Sequence, residues 1–573
     1  MNAAKLITVF AIFLGIGCQS KSVEIPNSDT DNGGLILPDG FGAIVVIDSV
    51  GGCRHIAVND NGDIYAKLKL ITGDKGNVAL RDTNNDGKAD IIMRFGNYPN
   101  DGNFATEMRI HNGYLYFSSE LRVYRQKLTP PDLVPKSKTE VIMIDRYPIR
   151  WHNAKSLAFD GKGGLYVTFS APTNVCEDWS TVPENTVVNV RGEYPCSQLV
   201  EFGGIWRFDE NKQNQYQSDG IRYATGLRSV VGLAWNRDDN KLYALQHGRD
   251  YLYGHAPQYY TPWQNAVLPA EEFVDIEKDD DFGWPYTYYD PIKNQKILAP
   301  EYGGDGLKQA TGYKNPLMGL PAHWAPNDML FYKGDQFPER YKNGAFVAFH
   351  GSTNRNPYPQ AGYIVAFIPF ENGKPTGKYE VFADGFTVRD TLYEMADATY
   401  RPCGLAEGPD GSLYISESKV GKIWRIAFHG DKHSFGEKEL HAMDQKCGSK
   451  TYIKTPSENA DVLRANKIVN AAKLYESHCS GCHNVQGQGF EGVFPPLAGS
   501  EWVNGDHEKM IRVLLHGQKG EITVKGKPYN QIMPAFGFLN DQEIAAVATY
   551  IKSEFGNKGG KIPPETVAKY RNK

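Results

Sequence analysis

Leu157-Ala158-Phe159-Asp160-Gly161-Lys162-Gly163-Gly164-Leu165-Tyr166 decides how the larger part of this chain is read. A short apolar run meets a polar turn of Gly and Asp, and an apolar residue followed by Tyr comes next. That pattern predicts a strand, a tight turn and a second strand. The same phrase recurs from Arg54-His55-Ile56-Ala57-Val58 to Ile64-Tyr65, at Leu115-Tyr116, from Gly232-Leu233-Ala234 to Leu242-Tyr243, and from Gly404-Leu405-Ala406 to Leu413-Tyr414. Tyr65, Tyr116 and Tyr166 stand about 50 residues apart. A strand–turn–strand unit at that period points to propeller blades, with an array of β-sandwiches as the alternative. Wider later gaps imply insertions around 170–215 and 250–330. No long helical period interrupts the stretch from Leu37 to Phe428, and about 390 residues at roughly 50 to 65 per blade make six blades.

The whole chain has 573 residues, too many for one ordinary domain. Its 59 glycines, 33 tyrosines and 12% aromatics fit a β-rich chain with many turns. A net charge of −5 argues against nucleic acid as a partner, because phosphate binding needs a basic surface.

Near the C-terminus stands Cys479-Ser480-Gly481-Cys482-His483. Two thiols three residues apart at a helix end reach both vinyl groups of one haem, and the adjacent His then sits under the iron. A zinc site would need a second Cys or His pair at suitable spacing, and none follows. Ala465 to His478 is predicted as an amphipathic helix. Asp541 to Glu554 is predicted as another, with Asn540 as N-cap and Glu543 completing a capping box. Between them, Met533 in Ile532-Met533-Pro534 is the expected second iron ligand, since a thioether opposite His raises the haem potential. Met510, His507 and His516 compete for that role but fall in a stretch that reads as packing. These features, with the Pro495-Pro496-Leu497 turn, resemble a class I cytochrome c. The expected fold is therefore mainly β: a six-bladed β-propeller over 37–430, a linker at 431–465, a small all-α cytochrome c domain at 466–557 and a tail at 558–573.

The first residues read as an export signal, with Lys5 before an apolar run too short to span a bilayer. The run ends at Leu14-Gly15-Ile16-Gly17-Cys18, which resembles a bacterial lipoprotein box with Gly15 where Leu is usual. On that reading 1–18 is removed up to a lipidated Cys18, and 19–36 is a flexible tether at the periplasmic face of a membrane. The eight cysteines fit export. Cys176 and Cys196 are expected to pair, Cys53 and Cys403 form a weaker second candidate pair, and Cys447 is left over.

Further stretches carry a family resemblance. They are Trp151-His152-Asn153-Ala154-Lys155-Ser156-Leu157, Tyr223-Ala224-Thr225-Gly226-Leu227-Arg228-Ser229-Val230-Val231-Gly232-Leu233, Gln246-His247-Gly248-Arg249-Asp250, Phe282-Gly283-Trp284-Pro285-Tyr286, Ala348-Phe349-His350-Gly351-Ser352 and Tyr400-Arg401-Pro402-Cys403-Gly404. In that order they resemble the soluble glucose/sorbosone dehydrogenase family, closest to its sorbosone (pyranose) dehydrogenase branch. The resemblance implies a six-bladed propeller carrying pyrroloquinoline quinone (PQQ) and calcium. It implies His152 as catalytic base, with Arg228 beside it and also bound to the quinone. Arg401 and Arg54 are further implied quinone ligands, and His350 stands roughly where the family's Lys is expected. Ser229 replaces the family's usual Asn. Gly248 and Arg249 align with the turn whose carbonyls hold the active-site calcium. Singly, an Arg at a blade start also fits an ion pair, and a lone His fits a structural role. Their value is joint, because blade starts converge on one channel.

Asp82-Thr83-Asn84-Asn85-Asp86-Gly87-Lys88-Ala89-Asp90 reads as a possible structural calcium loop, with Asp82, Asn84, Asp86 and Asp90 as oxygen ligands. Met93 stands where an EF-type loop has Glu, and a solvated turn reads equally well.

The expected function is oxidation of a sugar-type alcohol or aldehyde by PQQ, with electrons leaving through haem c to an external acceptor. A calcium-dependent gluconolactonase-like propeller and a non-catalytic docking module are the alternatives. The first would need carboxylates rather than arginines in the channel.

Overall fold

The computed structural model describes residues 25–72, 75–99, 107–147, 154–178, 190–356, 358–459 and 471–571. Cys18 and His152 lie outside them.

Six blades, each built on four antiparallel strands, follow one another around a central channel; blades 2, 3 and 5 add a short fifth strand, parallel in blades 2 and 3. Their innermost strands are Cys53–Val58, Met108–His111, Leu157–Phe159, Val230–Asn236, Pro326–Leu330 and Pro402–Glu407. The recurring tyrosines fall on the second strands of blades 1, 2, 3, 4 and 6. Tyr65, Tyr116, Tyr166, Tyr243 and Tyr414 are all buried, at 1 to 5% exposure. Alternation along a strand turns these residues into the layers between blades, where aromatics bury the most apolar area. Blade 5 has Phe346 at this place, fully buried in an aromatic cluster with Tyr341, Phe367 and Phe382.

The expected insertions are present. Blade 3 carries one between Gly164–Phe169 and Gly204–Asp209, closed by the Cys176–Cys196 disulfide. Blade 4 carries two, one with short helices Leu252–His255 and Pro262–Val267, the other with a hairpin Thr287–Asp290/Gln295–Leu298. The stretch Tyr223–Leu233 spans the passage between blades, from the blade 3 strand Ile221–Thr225 to the first strand of blade 4, Val230–Asn236.

The ring closes through its own N-terminal strand. Phe41–Ile47 pairs antiparallel with Ile423–Phe428 as the outer strand of blade 6, with Phe41 opposite Phe428. This leaves no open seam between first and last blades. Four sequence expectations change. Residues from Ser28 onward are pinned to blade 6, with the Asp29 carboxylate accepting from Val45 N at 2.8 Å, so this part is no tether. The 431–465 stretch contains a helix, Glu437–Cys447, whose Met443 and Cys447 join the propeller core. The tail holds a helix, Pro564–Arg571, packed into the cytochrome core through Val567 and Tyr570. The cytochrome is not all-α, since Ile522–Val524 and Lys527–Tyr529 form a hairpin.

Cys53 and Cys403 are buried free thiols, not a disulfide. Cys403 Sγ takes the Asn327 side-chain amide at 3.6 Å, and Cys53 faces the Glu417 carbonyl at 3.5 Å. Cys447 is free, as expected.

Candidate functional site

In an antiparallel blade the start of the first strand and the end of the second lie on one rim. That rim carries a cavity of about 380 Å³ at the channel mouth. Arg54, Arg228, Ser229 and Arg401 enter it from inner-strand starts, and Lys69, His247, Gly248 and His350 from second-strand ends. Ala154 lines it too, two residues after His152 in the chain. The waist of the channel below is filled. Arg109 donates to Asp328 at 2.8 Å and lies 3.0 Å from Glu107.

Arg54, Lys69 and Arg401 bring three cations to this one wall. Arg401 donates through Nε to the His350 carbonyl at 3.0 Å and also to the Gly351 carbonyl. Burial, and then Arg54 nearby, push its pKa down to about 10. Lys69 is lowered by burial and then by Arg54 and Arg401. Arg54 Nε and Ser229 Oγ are buried without a hydrogen-bond partner among the described residues. Several cations gathered on one wall, with Lys69 and Arg401 shifted down by burial and by neighbouring charge, suit an anionic ligand.

Arg228 reaches the same cavity, but its charge is matched. It donates to Asp250 at 2.7 Å and to the Gly248 carbonyl at 2.6 Å. Gly248 and Arg249, the turn where the resemblance implied calcium, stand beside this guanidinium. A guanidinium occupies the Gly248 carbonyl, and the Arg249 side chain turns away into a buried pair with Glu301. His350 stands on the cavity wall as an uncharged imidazole. Burial and the Arg401 charge drive its pKa well below the usual imidazole range, and Nε2 meets Ser418 Oγ at 2.6 Å. Lys69, from blade 1, is a cation of the same cavity. The sequence held no signal for Lys69 beyond its place near the end of a second strand.

The Asp82–Asp90 loop spends its oxygens on its own backbone. Asp82 accepts from Asn85 N and Gly87 N, both at 2.7 Å, and Asp90 accepts from Thr83 N at 2.7 Å. Among the described residues no group of three or more His, Cys, Asp or Glu is placed to hold a metal. The loop is an Asx-capped turn.

The second site lies in the C-terminal domain. Ala471–His478 delivers Cys479, Cys482 and His483 to the edge of an apolar cavity of about 100 Å³. His483 Nδ1 is 2.8 Å from the Pro495 carbonyl, which fixes that nitrogen as donor and leaves Nε2 for iron. Met533 lines the cavity, and its loop is clamped by reciprocal bonds to Gln518 at 2.9 Å. Gly517 supports it at φ 76°, where a Cβ would come 2.6 Å from the Met533 carbonyl. Met510 also lines this cavity, but from within a helix as core packing. His507 and His516 cap that helix and do not line the cavity. The Asn540–Glu543 capping box forms as predicted, at 2.9 and 2.8 Å.

A polybasic propeller mouth joined to a cavity bearing two thiols, an imidazole and a thioether defines a propeller–cytochrome c fusion. Residues 35–428 match the TrAA12-like family and residues 468–554 match cytochrome c. The chain belongs to the TrAA12-like family, with a cytochrome c domain following it. Cytochrome c-552 of Thermus thermophilus is 45% identical over 113 residues, which are 18% of this chain and 86% of that protein. The fructose dehydrogenase cytochrome subunit of Gluconobacter japonicus is 30% identical over 125 residues, 20% of this chain but only 25% of its own length. Among solved structures, a carbohydrate-active enzyme of family AA12 from Trichoderma reesei superposes with a TM-score of 0.55 at 16% identity, covering 69% of this chain and 97% of that one. The pyranose dehydrogenase PQQ domain of Coprinopsis cinerea gives 0.53 at 18%, with the same coverage. At these identities the likeness is one of fold.

Proposed function

We propose that this protein is a PQQ-dependent sugar dehydrogenase whose electrons leave through its own haem c. The observation that carries the reading is the cluster of Arg54, Lys69 and Arg401 around one cavity. PQQ has three carboxylates, and charge-assisted bonds from such a cluster are what an anion of that kind needs. When bound, it supplies the two-electron acceptor. Ser229 Oγ, buried without a partner, offers it a further hydrogen bond.

His152 is the proposed base that takes the substrate hydroxyl proton. Arg228 and Asp250 line the same cavity as a pair whose charges cancel, which holds that part of the wall in shape. Asn327, Asn354, Ser352 and His323 at the rim suit the neutral hydroxyls of an aldose. The Arg228 guanidinium, on the Gly248 carbonyl, is placed to polarise the bound quinone, and calcium on the Gly248 and Arg249 carbonyls remains part of this proposal. The names of the AA12 and pyranose dehydrogenase neighbours support the sugar class. The Cys176–Cys196 disulfide supports an oxidising, exported setting, and lipidation at Cys18 remains part of this proposal.

The test is reconstitution. The haem-carrying protein is loaded with PQQ, offered a panel of aldoses and followed at the reduced haem band. Haem reduction by at least one sugar, only with the quinone present, is expected. No reduction with any sugar and no quinone retained would end the reading.

A further inference from the structure

We infer that Tyr253 is the contact through which electrons cross from the propeller to the haem, an inference that rests on the dehydrogenase reading above. The insertion of blade 4 connects the two sites within one short run of chain. His247, Gly248 and Asp250 line the channel mouth, and three residues after Asp250, Tyr253 lines the haem cavity. Among the described residues, every other side chain lining that cavity belongs to the cytochrome. Tyr253 and Cys482 line the same cavity and act on each other electrostatically, and the Cys482 sulfur becomes a thioether to the haem once the haem is attached.

This run is held far more firmly than a surface loop requires. Asp250 is bound by Arg228 at 2.7 Å, and its N–H donates to Asn174 at 2.9 Å. Arg249 and His255, on either side of Tyr253, share the buried Glu301 carboxylate at 2.8 and 2.9 Å. Tyr253 N donates to Asn265 Oδ1 at 3.2 Å. The Asn265 amide in turn meets the Asn354 carbonyl at 3.0 Å, and Asn354 donates to Asp250. Trp263 Nε1 donates to Ser457 Oγ of the linker at 3.0 Å, and Tyr358 packs against Phe538 of the cytochrome at 6.4 Å between ring centres. One short, firmly held run of chain therefore leads from the mouth to the cavity that bears the haem-attaching thiols.

The electrons balance simply. Oxidation of one sugar hydroxyl to a carbonyl releases two electrons and two protons. The electrons pass one at a time, each reducing ferric haem to ferrous, and an external one-electron carrier removes each in turn. The protons go to water.

The experiment uses full-length protein with haem attached, as wild type, Tyr253→Phe and Tyr253→Ala. Without quinone, spectroelectrochemistry reads the haem midpoint potential, which shifts in both variants because the phenol hydroxyl beside the haem cavity is lost. With PQQ and sugar, stopped-flow haem reduction is compared with sugar oxidation coupled to a dye that accepts electrons directly. The ratio of the two rates falls at least about tenfold in Tyr253→Ala and less in Tyr253→Phe, which keeps the ring. An unchanged ratio in Tyr253→Ala, with dye-linked oxidation intact, overturns the inference alone. Absence of dye-linked oxidation in the wild type instead sinks the dehydrogenase reading, and the inference with it.

Discussion

The Arg228 guanidinium donates to the Asp250 carboxylate at 2.7 Å on the wall of the channel mouth, with Asp250 next in chain to the buried Arg249. Removing one partner of such a pair leaves the other charge without its counterion. Arg228→Ala is expected to destabilise the propeller by about 3–5 kcal/mol, read as a lower urea midpoint in chemical unfolding. A variant as stable as wild type would mean the pair is loosely formed.

Lys69 and His350 line the same cavity but carry different charge, because burial and Arg401 keep the imidazole neutral. Lys69→Ala should weaken PQQ binding about tenfold or more, the worth of one charge-assisted bond, while His350→Ala should weaken it less. Calorimetric titration of the quinone into each haem-carrying variant decides this. The opposite ranking would make His350 the principal contact.

Met533 is the expected thioether ligand, clamped by Gln518 and Gly517. Met533→Ala should lower the haem midpoint potential and alter its oxidised spectrum while the haem stays covalently bound. A spectrum and potential like those of wild type would pass the role to Met510.

Glu301 gives the protein an acid-sensitive joint. Burial alone would raise its pKa, but Arg249 and His255 outweigh burial and hold it down to about 2. Its folded value lies below the ordinary 4.5, so its contribution is complete above that pH and is lost as pH falls towards 2. Glu301→Gln should cost about 3–5 kcal/mol at neutral pH, and the gap from wild type should close on acidification. Thermal unfolding from pH 7 to 3 reads it, and a gap independent of pH would contradict the assignment.

Much of the fold was legible in the sequence, for a physical reason. Tyr65, Tyr116, Tyr166, Tyr243 and Tyr414 each fill the equivalent place in a different inter-blade layer, so one packing demand repeats along the chain. Blade 5 escaped because Phe346 meets that demand without a tyrosine. Closure through Phe41–Ile47 was hidden because it pairs residues almost 390 positions apart, and local pattern carries no such register. The helices of the linker and tail looked solvated because each buries only two side chains, Met443 with Cys447 and Val567 with Tyr570. At the site, His483, Cys479, Cys482 and Met533 were readable because haem attachment needs fixed spacing. Arg54, Arg228 and Arg401 were placed correctly through a resemblance. Lys69, and the guanidinium seated on the Gly248 carbonyl, depend on which side chains meet across different blades, which no local spacing encodes.

Quinone binding by the haem-carrying, cofactor-free protein tests the central claim most directly, with wild type set beside the Arg54→Gln/Arg401→Gln double variant across a range of salt. The account predicts one PQQ per chain, affinity that weakens as salt rises, and loss of at least about a hundredfold in the double variant. Equal affinity in both proteins, indifferent to salt, would contradict it.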